Sequence, residues 1–459
     1  MNKSSRKTKK AKQKISLDQT WPALHPHAAG IDLGAREHWV AIPPDRAAPT
    51  VRCFGTTTPD LEALAHWLKE HGVTHVAMEA TGVYWIAVFQ LLERRGFAVL
   101  LVNARQIKNV SGRKSDVADC QWIQRLHTYG LLGGSFRPAD AYCVVRSYAR
   151  YRDELIGARS VQIQHMQKAL LEMNLQLTVV LADIVGESGR AILAAILEGE
   201  RDPVKLASLA DPRVKSSREQ IAKALVGDYR TEHLFVLRTA WELYHSYESQ
   251  IARCDEQLAV ELARLPERVN LEERPLPAKA PGKKIDAALR EALYRTLGVD
   301  LTAIESVGTT VALTVLTEVG PDLSAFRTEK HFCSWLGLCP DHRISGGKIL
   351  SGHTRQVVHR LSERLRLAAT ALENSASALG AYYRRMKARL GAPAAITATA
   401  HKLARIIYRM LRYGEAYVRE GLEDYEQKYQ QRKLQGLKKM AATLGFELIE
   451  RQTVAASVS

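Results

Sequence analysis

From residue 27 to residue 137 the apolar positions follow two periods in turn. Short apolar runs at 31–33, 38–42 and 51–54 predict three successive strands. A helical period follows over 61–71, with Thr58 or Asp60 near its start. The run 73–78 predicts a strand, 84–95 a helix stopped by Gly96, and 97–102 another buried strand. Ser115 is placed to cap a helix reaching about residue 129. Strands first, then β-α-β alternation, predict an α/β layer fold.

The middle of the chain changes period. Ile156, Ile163, Leu170 and Leu177 recur every seven residues, with Met166 and Met173 beside them. Leu237, Tyr244, Ile251, Leu258 and Leu265 repeat the pattern, with Ala240, Tyr247 and Cys254 in companion positions. Two such heptad stripes read as an antiparallel coiled-coil hairpin, an intermolecular bundle or two core helices. Leu237, Ile251 and Leu258 are the expected seam if the helices mediate assembly. Between the stripes, Gly186, Gly189, Pro203 and Pro212 break shorter helices into an inserted lobe. Pro275, Pro277 and Pro281 then mark a linker, followed by a second compact domain.

Four carboxylates stand out against this pattern. Asp32 and Glu79 end apolar strand-like runs, in Gly30-Ile31-Asp32-Leu33-Gly34 and Met78-Glu79-Ala80-Thr81-Gly82. Asp116 and Asp119 are three residues apart in a helical stretch, so they share a face. Acids brought together repel unless cations intervene. Hard oxygen ligands without a neighbouring Cys or His pair point to Mg²⁺ or Mn²⁺.

Charge names the partner class. Across 459 residues Lys and Arg number 65 against 49 Asp and Glu, a net +16 that favours a polyanion. Metal-assisted phosphodiester chemistry on nucleic acid is the consequent expectation. The six cysteines form no CxxC pair, which predicts neither a disulfide framework nor a zinc site and suits a reducing compartment. No apolar run approaches membrane-spanning length, so no membrane partner is expected. The basic start lacks the apolar core of a secretory signal.

The second domain carries its own candidates. Residues 304–312 resemble a helix-hairpin-helix element, which would offer Gly308 and a helix N-terminus to a phosphate. Ser306 stands where a Gly is usual and Glu305 where Pro is common, so a plain packing corner also fits. Ser345 lies in Arg343-Ile344-Ser345-Gly346-Gly347-Lys348, where glycines let the backbone approach a phosphate and the cations can neutralise it. Its hydroxyl is a nucleophile if something removes the proton; otherwise the segment is only a turn, and Ser351 is a nearby competitor. Arg384, Arg385, Lys402 and Arg405, interleaved with Tyr382 and Tyr383, suit phosphate contacts and base stacking.

Together these motifs resemble the insertion-sequence transposases with an Asp-Glu-Asp-Asp motif, family one-hundred-ten. The Ser-Gly-Gly-Lys segment and the stretch 391–404 look like its eleven-eleven subgroup. The likeness runs from His27 to about Gly414, with Cys120, Glu305 and Ser306 as departures. It implies a RuvC-like (RNase H-like) α/β domain, a mostly helical coiled coil and a C-terminal transposase domain. It assigns Asp32, Glu79, Asp116 and Asp119 as metal carboxylates and Ser345 as the catalytic nucleophile. It further implies a structured guide RNA that pairs with donor and target DNA. It also implies a homo-oligomer, dimer or tetramer, acting in a prokaryotic cytoplasm.

The expected organisation is a basic tail over 1–25, the RuvC-like domain over 26–140 and the coiled coil over 141–275, with its lobe at about 178–228. A linker at 276–300, the transposase domain at 301–420 and a tail at 421–459 complete it. Rival readings are a hydrolytic RuvC-like junction nuclease and a non-catalytic nucleic-acid-binding protein. An actin-like sugar kinase lacks its second Gly-rich nucleotide loop.

Overall fold

The computed structural model describes residues 22–80, 82–103, 115–278, 286–355, 357, 359–415, 431 and 434–448. For Arg343 and Ile349 it describes only the backbone. Most of the expected basic tail, the middle of the expected linker and most of the C-terminal tail lie outside the described residues. The chain divides into two compact units between Phe136 and Arg137.

The first unit is built on β1 (Ala28–Leu33), β2 (Glu37–Ala41), β3 (Val51–Gly55), β4 (His75–Glu79) and β5 (Ala98–Val102). Its helices are α1 (Thr58–Glu70), α2 (Trp85–Arg94) and α3 (Asp116–Thr128). The sheet order is β3-β2-β1-β4-β5. The first three strands pair antiparallel; β1, β4 and β5 pair parallel. This mixed sheet is compatible with a RuvC-like domain.

Side-chain alternation explains the layers. Ala29, Ile31 and Leu33 turn to one face, where they join Val40, Met78, Leu64, Leu68, Val88 and Leu92 in the main core under α1 and α2. Gly30 turns to the other face, against Gln124 and Cys120 of α3. The N-cap of α1 is Thr57, whose N–H donates to Asp60 at 3.2 Å, one residue before the expected start.

In the second unit α4 (Asp140–Glu172) leads through α5 (Leu177–Val180), α6 (Glu187–Glu198), α7 (Pro203–Ser208) and α8 (Arg218–Ala224) to α9 (Thr231–Ala263). The long helices α4 and α9 run antiparallel, since Arg152 pairs with Asp255, Arg159 with Glu248 at 3.7 Å, and Glu172 contacts His233 at 3.2 Å. Leu155 packs with Ile251 and Cys254 between them. The short helices form one core with the far end of this hairpin, around Met166, Leu170, Leu237 and Tyr244.

The two long helices therefore pack against each other within one chain. Leu237, Ile251 and Leu258, expected to form a seam for another subunit, are buried within one chain. The physical reason is that each stripe supplies the apolar surface the other needs.

The remaining helices are α10 (Ala287–Leu297), α11 (Thr309–Glu318), α12 (Glu329–Trp335), α13 (Arg360–Thr370), α14 (Ala378–Leu390) and α15 (Ala392–Tyr413). A hairpin of β6 (Arg343–Ser345) and β7 (Lys348–Ser351) lies between α12 and α13. Buried Glu318 on α11 accepts from Arg150 on α4 at 2.8 and 3.0 Å. Asp153 on α4 accepts from Arg364 on α13 at 2.7 Å. These charge-assisted bonds tie the long hairpin to the C-terminal helices. Among the described residues no helix is long and apolar enough to cross a membrane.

Candidate active site

The four carboxylates are delivered by local rules. Asp32 is two residues after Gly30 on β1, so it turns to the same face, toward α3. Ile31 pairs with Met78 across the parallel β1–β4 ladder. Asp32 and Glu79 each follow that pair by one residue, which makes them cross-strand neighbours about 5 Å apart in backbone. A Cβ on Gly30 would lie 2.3 Å from the Gln124 nitrogen and 2.4 Å from the Cys120 carbonyl oxygen. Only glycine lets α3 come so close to β1. The Ser115 hydroxyl accepts from Ala118 N–H at 3.3 Å and starts α3, which places Asp116 and Asp119 in its first turn. The helix dipole favours acids there.

The electrostatics report the convergence. The Asp32 carboxyl is pushed up to about 6, first by burial and then by the charges of Asp116, Asp119 and Glu79. Burial and the Asp32 charge push the neighbouring Cys120 thiol up to about 12, so it is an inert packing group. Among the described residues no three Asp, Glu, His or Cys side chains stand close enough to enclose an ion. Asp116, Asp119 and Glu79 are nonetheless close enough for their charges to act on Asp32. The donor set still fits Mg²⁺ or Mn²⁺ in kind, being made of hard carboxylate oxygens whose repulsion a cation would relieve. Two residues not singled out from the sequence share this face of the sheet, Trp39 opposite Asp32 and Cys53 opposite Trp39.

Ser345 does not sit in a loose loop. It is the last residue of β6, paired across the hairpin with Lys348. Gly346 and Gly347 form the two-residue turn, with φ of +55° and +76°. Both are left-handed, as a type I′ turn requires and as a side chain would resist. Ser345 and Lys348 are exposed. The rival Ser351 is at the other end, paired with the Arg343 backbone.

The other expected phosphate contacts divide. Gly308 is the half-buried N-cap of α11, with open space where a Cβ would stand and no side chain capping the helix. Ser306 has φ of +63°, the conformation of the Gly it replaces. The Lys402 ammonium lies 4.9 Å from the centre of the Tyr382 ring, and burial, helped by Arg405 and Arg385, lowers its proton affinity. Arg385 lies on α14 and is partly buried. Arg384 and Arg405 also have partners within the chain. Arg384 donates to the carbonyls of Glu373 and Ser375 at 2.9 and 2.6 Å, and Arg405 donates to Glu329 at 2.8 Å. Sequence spacing does not reveal such long-range partners.

Comparison with known proteins bears on both units. Residues 29–175 match the DEDD transposase model of IS110, described as a transposase. Residues 300–384 match the model described as the transposase IS116/IS110/IS902 family. The chain is also 24% identical over 371 residues to a Streptomyces coelicolor protein to which the transposase role for the IS117 mini-circle is ascribed. That likeness covers 78% of this chain and 87% of the relative. Two models of one family thus match in order along the chain, the first spanning the carboxylates and the second Ser345. The chain belongs to the IS110 family of transposases.

Proposed function

We propose that this transposase cuts and rejoins DNA through Ser345, with Asp32, Glu79, Asp116 and Asp119 holding Mg²⁺ or Mn²⁺. The gathering of the four carboxylates on the α3 face supports this most directly. A bound divalent cation supplies Lewis-acid charge for the scissile phosphate. The chain's own part is to hold two acids on adjacent strands against two on the first turn of α3, and to present a hydroxyl from a tight hairpin. The Ser345 oxygen bonds to phosphorus as the bond from phosphorus to a bridging sugar oxygen breaks. The serine proton is lost to solvent and the freed sugar oxygen takes one up. The resulting phosphoserine keeps an ester bond, so a DNA hydroxyl can reverse the attack and reseal a strand. Lys348, opposite Ser345, and Arg343 offset the charge gathering on phosphorus. Gly308, Lys402 and Arg385 contact phosphates away from the cut.

The same reading includes an element-encoded structured RNA that selects donor and target DNA, and a homo-oligomer in which one subunit's carboxylates meet another's serine. Net charge and the family resemblance support both parts.

Trapping with labelled DNA tests the central claim. Wild type and Ser351→Ala should form a covalent protein–DNA adduct on denaturing gels, while Ser345→Ala should bind DNA and form none. Cleavage by wild type without any adduct would replace this reading with a hydrolytic junction nuclease. Purification with the whole element should recover one discrete RNA; a random mixture stripped by modest salt would remove the guide.

A further inference from the structure

Trp39 is poorly explained by folding alone. The alternation of β2 sends Val40 into the main core, with Ile42 just beyond the strand. Trp39 therefore turns to the α3 face. The apolar cluster on that face is Ala77, Val102 and Ile123, with Leu100, Trp122 and Leu132 against it. Trp39 belongs to neither cluster and is only partly buried. A large aromatic side chain is thus held on the α3 face, partly buried and outside the apolar cluster.

Its polar edge is anchored. The indole N–H donates to a Glu37 carboxylate oxygen at 3.1 Å. The other Glu37 oxygen accepts from the Cys53 thiol at 3.4 Å. Cys53, Trp39 and Asp32 are in register across three adjacent strands. The ring is therefore one strand away from Asp32, with its orientation set by a hydrogen bond.

We propose that Trp39 is a positioning residue for the DNA strand, its ring stacking on a nucleobase that flanks the phosphate held at the carboxylates. The inference rests on the DNA-cutting reading above and adds a contact to it. Carboxylates cannot attract a polyanion, so a strand approaching them needs a contact indifferent to charge. An aromatic face provides one, and it accepts any base because every base has a π-face. Anchoring by Glu37 limits the ring freedom lost on binding.

Ultraviolet crosslinking of the full chain to an oligonucleotide carrying 5-iododeoxyuridine tests the contact directly. The expected adduct maps to Trp39; adducts confined to other residues would overturn the proposal. In anisotropy measurements without divalent metal, Trp39→Ala should bind this DNA about tenfold more weakly, with an unchanged melting temperature. Trp39→Phe, which keeps a stacking ring but loses the Glu37 bond, should recover most of the binding. Equal affinity for wild type and Trp39→Ala would defeat the stacking role while leaving the transposase reading intact. A wild-type protein that neither binds nor cuts DNA when the element's RNA and Mg²⁺ are supplied would instead bring down the parent reading.

Discussion

Gly30 carries more of the active site than its size suggests. Its missing side chain allows the contact between β1 and α3, and that contact brings Asp116 and Asp119 to Asp32. Gly30→Val should cost about 1–3 kcal/mol of stability, read by urea unfolding, because backbone atoms of α3 must retreat. DNA cleavage should fall further than stability alone explains, since the carboxylates separate. At the opposite end of α3, His127 is buried and stacks against His25 at 5.0 Å, with His75 at 6.3 Å. Burial, and then His25 and His75, hold its pKa down to about 4. The unfolded chain therefore takes up a proton below pH 6.5 that the folded chain refuses until about pH 4. Stability should fall across that window as pH falls, by about 3 kcal/mol from this group. Urea titrations at pH 7 and 4.5 should show the loss, and His127→Gln should flatten it.

At the scale of elements, the α4–α9 hairpin and the β6–β7 hairpin behave differently under substitution. Ile251 is packed against Leu155, so Ile251→Asp buries a charge in a filled seam. The expected outcome is a loss of about 3 kcal/mol or more and a lower melting temperature for this unit. An unchanged melting curve with a smaller particle in light scattering would instead return the seam to subunit assembly. The heptad spacing was plain in the sequence, but its partner was not, because a period of seven describes a stripe and not what lies against it. Ser345 was similarly visible as part of a glycine-rich segment. Its strand position became clear only from the pairing with Lys348 and the left-handed Gly346 and Gly347.

For the whole molecule, the net charge of +16 predicts that DNA binding weakens steeply with salt, linearly on logarithmic axes. Chelation of divalent ions should abolish cutting while binding survives at low salt. Loss of both together would show that the carboxylates serve binding rather than chemistry. The sequence by itself determined the strands that carry Asp32 and Glu79, the helix capped by Ser115, the two heptad stripes and the acids worth watching. Those features depend on local period and residue chemistry, which the order of residues states directly. Only the tertiary structure decided that Gly30 is a contact point, that Arg384 and Arg405 have partners within the chain, and that Trp39 stands beside Asp32. Those facts depend on strand register and on contacts between residues distant in the chain. One step in register turns a side chain to the opposite face of a sheet, and local spacing does not set that step.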